Sequence, residues 1–142
     1  MSDEQLSSKL ECQDLLFRFG AALDRGANAD AADLFAEGAR LGAPDGTFAE
    51  GDAVREALMK RPSTLVTRHL VTNLVVTPTG PDTADGIAYV MNYRVMSEDR
   101  DNTPHPLPES PGGVGEWRLA FRKTAAGWRL SSLETVPVFV AS

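Results

Sequence analysis

The 142-residue chain carries 14 Lys and Arg against 20 Asp and Glu, a formal charge of −6, with 42% hydrophobic residues and one cysteine. An acidic chain of this size can bury one core and offers no basic face for nucleic acid or an anionic membrane. No apolar run approaches the ~20 residues of a membrane span, and a lone Cys12 excludes an internal disulfide or a thiolate zinc site and reads as a small packing residue. The polar, acidic start M-S-D-E-Q-L-S-S-K-L is neither a secretion signal nor an Arg-rich transit peptide, so a cytoplasmic protein is expected.

Ser2 followed three residues later by Gln5 is a capping-box pattern, with Asp3 and Glu4 suited to a first helical turn. The helix is expected over Glu4–Arg25, with Gly26 as its stop. At 100° per residue, Leu6, Leu10, Leu16, Phe17, Gly20 and Leu23 share one broad sector. Asp24 projects from that apolar side and sits in the last turn, where the macrodipole disfavours an anion. An acid set against both preferences calls for a partner from elsewhere in the chain. A second helix is expected over Asp30–Ala36, capped by Asn28 and closed by Gly38. Two short strands, Arg40–Ala43 and Gly46–Ala49, flank the turn A-P-D-G. A third helix spans Asp52–Lys60 and is ended by Pro62.

The stretch Val66–Val76, V-T-R-H-L-V-T-N-L-V-V, is rich in β-branched residues and reads as a strand that ends at Pro78. A period of two puts His69, Val71, Asn73 and Val75 on one face and Arg68, Leu70, Thr72, Leu74 and Val76 on the other. Both faces are largely apolar, so both are expected to be covered. Ala84–Met96 alternates in the same way, with Tyr89 and Tyr93 on one face and Ala88, Val90, Asn92 and Arg94 on the other. Ser97–Gly113, rich in Pro and Gly, reads as an exposed loop, a lid over one end of the sheet. Val114–Lys123 and Gly127–Val140 are the last two strands. Helices first and hairpin-linked strands after make an α+β plan: a cone-shaped single domain over residues 1–142, its curved, mostly antiparallel sheet packed against three N-terminal helices.

No P-loop, dinucleotide fingerprint, metalloprotease helix or G-x-S-x-G motif occurs, so neither a cofactor nor a metal is expected. With two histidines, the candidate centre is Asp24 with His69. A carboxylate accepting from one ring nitrogen fixes the imidazole tautomer and leaves the other nitrogen free as a general base, at a contact of about 2.6–3.2 Å. The same pair can equally be a buried structural hydrogen bond. Tyr89 and Tyr93 could donate to a developing oxyanion or serve as core aromatics. Phe17, Leu23, Val71 and Val75 are the expected apolar lining. Trp117 and Trp128 read as core or interface, His105 as a surface residue, and Arg68 as the partner of an acid or a subunit contact.

The segments A-L-D-R-G, D-L-F-A-E-G-A-R, A-P-D-G-T-F-A-E-G-D-A-V-R and T-R-H-L-V-T-N, in that order, resemble the SnoaL-like group of the nuclear-transport-factor-two-like (cystatin-like cone) superfamily. That group includes scytalone dehydratase, bile-acid dehydratase and hexachlorocyclohexane dehydrochlorinase. The resemblance implies an Asp at the end of the first helix holding a His on the sheet that removes a proton in an elimination; Asp24 and His69 match those positions. Asn73 matches a polar residue after the His in the dehydrochlorinase. The dehydratases' tyrosines near the first helix are replaced by Phe19 and Leu23, and the second pocket His of scytalone dehydratase by Tyr89 or Tyr93. The implied activity is a cofactor-independent lyase or isomerase, dehydratase-like, on a small apolar or polycyclic molecule bound in the cone. The alternative is a non-catalytic ligand-binding cone or a subunit resembling the β chain of ring-hydroxylating dioxygenases. The family habit of pairing through the outer sheet face implies a homodimer or homotrimer.

Overall fold

The first helix, α1 (Asp3–Asp24), opens on a complete capping box: the Gln5 N–H donates to Ser2 Oγ at 3.1 Å and the Ser2 N–H to Gln5 Oε1 at 2.9 Å. It closes on a Schellman turn, Ala27 N–H to Ala22 O and Gly26 N–H to Leu23 O, with Gly26 at φ +71° where a side chain would be strained. The computed structural model describes residues 1–140; the last two positions of the domain expected from the sequence lie outside the described residues. After α1 come α2 (Asn28–Asp33), β1 (Phe35–Gly42), β2 (Phe48–Glu50), α3 (Asp52–Met59), β3 (Leu65–Gly80), β4 (Thr83–Met96), β5 (Gly113–Thr124) and β6 (Gly127–Phe139). The strands form one sheet in the order β2-β1-β6-β5-β4-β3, antiparallel except between β1 and β6. The fold is thus the expected α+β cone, a curved six-stranded sheet with its helices at the N-terminal end of the chain. No helix among the described residues is long and apolar enough to cross a membrane.

The face that α1 buries overlaps only in part with the one read off the sequence: Leu16, Gly20 and Leu23 lie inward as expected. Cys12, Leu15, Leu16, Phe19 and Leu23 are buried, whereas Leu6, Leu10 and Phe17 are 49%, 57% and 49% exposed. Two apolar stripes compete on α1, and packing selects the one containing Phe19, whose ring meets Phe35 and Trp117 at 5.5 and 5.7 Å between centroids. The second helix is shorter and earlier than expected. Asn28 is its first residue rather than its cap, and its amide reaches the Arg61 carbonyl at 3.4 Å, while the chain turns into β1 at Phe35. Leu130 of β6 donates to Leu34 O there, so sheet pairing claims residues that helical propensity would have kept.

Strand β3 runs through Pro78 to Gly80, which an edge strand tolerates because one side of its ladder is open. Its alternation breaks at Asn73, the one non-glycine residue with positive φ (51°) among the described residues, where the register with β4 shifts between Thr72 and Val75. Before this bulge Leu65, Thr67, His69 and Val71 face the helices. After it the inward positions are Leu74 and Val76, while Asn73 is exposed and Val75 is 57% exposed. Such a bulge bends its strand and sharpens the local twist. The outer face is open rather than covered, with Leu70, Ile87 and Tyr89 at 42%, 37% and 53% exposure.

The bulge makes a stability prediction. A β-branched residue pays about 1–2 kcal/mol for the left-handed conformation that Asn tolerates. Asn73→Val should therefore lower the urea midpoint by a corresponding amount, and Asn73→Gly should leave it nearly unchanged; equal midpoints for both would contradict the bulge.

Candidate active site in the cone

Asp24, the last residue of α1, reaches across to β3 with both carboxylate oxygens. Oδ1 accepts from the Thr67 hydroxyl at 2.8 Å and lies 2.6 Å from His69 Nδ1; Oδ2 accepts from the His69 backbone N–H at 3.0 Å. The side chains of His69 and Asp24 are only 7% and 14% exposed. Burial alone would raise the Asp24 carboxyl, but the hydrogen bonds from the His69 ring, the His69 backbone and Thr67 outweigh it and hold the group below its ordinary value. An ionised carboxylate can only accept, so in the neutral ring the hydrogen sits on Nδ1 and Nε2 keeps its lone pair. The His69 ring also lies against Trp117, centroids 5.6 Å apart at 35°. Arg100, from the loop between β4 and β5, donates to the free Asp24 carbonyl at the end of α1 at 3.1 Å and to Ser63 O at 3.3 Å.

The pair stands between two cavities. The cone interior, about 460 Å³, is lined by Phe19 and Leu23 of α1, Leu58 and Arg61 at the end of α3, His69, Asn92 and Arg94 of the sheet, Trp117, and Phe139 near the mouth. A cleft of about 810 Å³ lies on the other side, lined by Asp24, Thr67, Tyr93, Arg94, Arg100 and His105 among apolar residues. His69 thus faces the cone, Asp24 faces the cleft, and Arg94 borders both. Residues of the loop expected to be a lid form one side of the cleft. His105 is part-buried there rather than on the surface, with Nε2 donating to Arg100 O at 2.9 Å.

Of the residues singled out from the sequence, the structure brings Asp24, His69 and Leu23 together. Phe17 points away on the exposed side of α1. Val71 is half-buried, packed against the core beside Gly20 instead of lining the cone. Asn73 turns outward at the bulge, Tyr89 occupies the outer face opposite Thr72, and Tyr93, opposite Arg68, borders the cleft beside Asp24 but not the cone. Arg68 does face away from His69, but it donates to Thr67 O at 2.7 Å rather than to an acid. Both tryptophans are core residues. The residue that sequence reading passed over is Asn92, the cross-strand partner of His69 on β4. Side chains at such positions sit about 4.5–5.5 Å apart at Cβ, and Asn92 Oδ1 is buried without a hydrogen-bond partner among the described residues. No three His, Cys, Asp or Glu gather as a metal cluster among the described residues. Cys12 is buried with its thiol pushed up to about 12 by burial and by Glu11, which makes it inert.

The depressed Asp24 carboxyl carries a pH signature. A folded-state value below the unfolded one contributes stability that is full above the ordinary Asp range, near 4, and is lost as pH falls through the lower folded value. In paired urea titrations, wild type should exceed Asp24→Asn in stability at pH 7 and the gap should close on acidification below that range. A gap independent of pH would contradict the ionised clasp.

The profile of the SnoaL-like domain matches residues 4–134. No curated protein gives a significant match to the chain. Among solved structures, a candidate scytalone dehydratase from Novosphingobium aromaticivorans is 18% identical over 100% of both chains, with a TM-score of 0.80. An NTF2-like protein with a cystatin-like fold from the same organism is 23% identical over 96% of this chain and 86% of its own, TM-score 0.77. A hexachlorocyclohexane dehydrochlorinase, LinA type 2, is 16% identical over 97% of this chain and 90% of its own, TM-score 0.77. At these identities the solved structures speak for the fold, and the profile, spanning nearly the whole sequence, speaks for the family: the chain belongs to the SnoaL-like domain family, built on the NTF2-like cone.

Proposed function

We propose that the cone is a cofactor-independent active site of a lyase or isomerase, dehydratase-like, acting on a small apolar or polycyclic molecule. His69 Nε2 takes a proton from a carbon next to a carbonyl or a leaving group. The C–H electron pair becomes the new double bond, either expelling the leaving group from the adjacent carbon or placing charge on the carbonyl oxygen. The imidazolium that forms is stabilised by Asp24, which stays ionised. In an elimination of water the proton leaves with the departing hydroxide; in an isomerisation His69 returns it to another carbon. Asn92, beside His69 on the next strand, takes the part first sought in Tyr89 and Tyr93, its carboxamide donating to the developing oxyanion or accepting from a substrate hydroxyl. The observation that carries this reading is an imidazole whose Nδ1 is committed to a buried carboxylate while its ring borders a cavity. Phe19, Leu23 and Trp117 would keep water from the reacting carbon. Two structural neighbours are named for eliminations, of water and of hydrogen chloride.

A cavity of this volume is in the range that small-molecule sites occupy, and it favours an enzyme over a subunit with a solid core around His69. The exposed apolar residues Leu70, Val75, Ile87 and Tyr89 on the outer sheet face support a homodimer or homotrimer formed through that face. Light scattering should then report a multiple of 15.3 kDa, and a purely monomeric species would remove this part. On any substrate that the wild type turns over, His69→Ala should cost about 10²–10⁴ in rate, and Asn92→Ala about 10²-fold in kcat. Both variants should keep their near-UV circular dichroism. Activity that falls only in step with the folded fraction would make the Asp24–His69 pair structural.

A further inference from the structure

The cone contains two guanidinium groups that the proton transfer does not use. Arg61 follows α3 and is half-buried; Arg94 lies two residues beyond Asn92 on the same face of β4, opposite Thr67. Both line the cavity that His69 lines. The arginines at positions 18, 40, 55 and 118 each pair with an acid, whereas among the described residues Arg61 and Arg94 have no carboxylate partner. Asp24 is the acid that acts on Arg61 through its charge, and its oxygens are already committed to Thr67 and His69. Burial, then the positive charges of Arg94 and Arg100, lower the Arg61 pKa, and Asp24 offsets only part of this. Gly112 makes room for the arrangement: a Cβ there would meet the Arg94 stem at 2.8 Å and Asn92 Oδ1 at 2.9 Å.

Two neighbouring cations without a counter-charge repel each other, and Arg61 is also partly desolvated, while Arg94 stays exposed at the rim of the cavity. A planar anion resolves the strain, because a guanidinium fork matches a carboxylate in two hydrogen bonds. We propose that Arg61 and Arg94 form an anion clamp in the cone and that the substrate is an apolar molecule bearing a carboxylate. The clamp rests on the proton-transfer reading for the substrate's role, and it adds orientation. With the carboxylate held by the arginines and the hydrocarbon body against Phe19, Leu23 and Trp117, the carbon to be deprotonated is presented to His69 beside Asn92.

The test compares 2-naphthoate with its neutral isostere 2-naphthamide, by calorimetry and by quenching of tryptophan fluorescence. Wild type should bind the carboxylate about tenfold or more tightly than the amide, the equivalent of one charge-assisted contact, with a preference that weakens in salt. The double substitution Arg61→Gln with Arg94→Gln should abolish that preference, and the corresponding Lys pair should retain part of it. His69→Ala should keep it. Equal affinity for the two probes in wild type, no saturable naphthoate binding, or a preference that survives in the folded Gln pair would overturn the clamp. The wild-type comparison decides the matter even if the Gln pair does not fold. Loss of the preference in wild type alongside a dead His69→Ala enzyme would remove the clamp and leave proton abstraction standing. A preserved preference with a fully active His69→Ala enzyme would do the reverse.

Discussion

Everything in the site depends on one carboxylate placed where a helix least wants it. Asp24 sits at the C-terminal end of α1, against the macrodipole, and is stabilised by three donors that all come from β3. The backbone N–H and hydroxyl contacts fix where the helix end meets the strand, and the ring contact fixes which way His69 turns. Arg100 completes the junction by taking the carbonyl that the helix leaves free. A structural clasp and an oriented imidazole are therefore the same set of bonds. The site costs α1 little, because its core-facing stripe of Cys12, Leu15, Leu16, Phe19 and Leu23 is untouched by the polar junction.

The cone itself follows from how the sheet ends its alternation. The bulge at Asn73 lets the first half of β3 aim Thr67 and His69 at the helices, while the second half buries Leu74 and Val76 in the closed end of the core. One strand thus supplies His69 to the cavity and, beyond the bulge, apolar residues to the packed core. Beside it, β4 brings Val90, Asn92 and Arg94 along the cavity wall in alternate positions, from an apolar to a charged end. Such a gradient suits an amphipathic guest better than a hydrocarbon. It also sets the polar groups at the distance from one another that strand geometry dictates, so little rearrangement is needed when a ligand enters.

Asp24 and His69 were legible in the sequence because each breaks a local rule: an anion at a helix C-terminus on an apolar side, and an imidazole among β-branched residues. The order of elements and the α+β plan followed from capping, glycine stops and alternation, and the family resemblance pointed the same way. The misplaced residues trace to two physical causes. Period-two counting runs straight through Asn73, although Asn tolerates positive φ, and so assigns Asn73 and Val75 to the wrong face. Alternation within each strand does not by itself relate the faces of β3 to those of β4; the hairpin does. A two-residue turn at Pro81–Asp82 pairs odd positions of β3 with even positions of β4, and the two register shifts restore that parity by His69. That count alone would have put Asn92 and Arg94 beside His69 and sent Tyr89 and Tyr93 outside. The choice between the two stripes of α1 was not available from the helix by itself, since only packing against Phe35 and Trp117 decides it.

The most direct measurement is the protonation pattern of the histidine ring nitrogens, read by long-range ¹H–¹⁵N correlation at neutral pH or above. With two histidines in the chain, both rings can be assigned by substituting His105. His69 is expected as the Nδ1–H tautomer with Nε2 unprotonated, and His105, whose Nε2 meets a carbonyl oxygen, as the Nε2–H form. Asp24→Asn should disturb the His69 pattern and leave His105 unchanged. A His69 ring found in the Nε2–H form, or averaged between forms and indifferent to Asp24→Asn, would contradict a base held ready by its carboxylate.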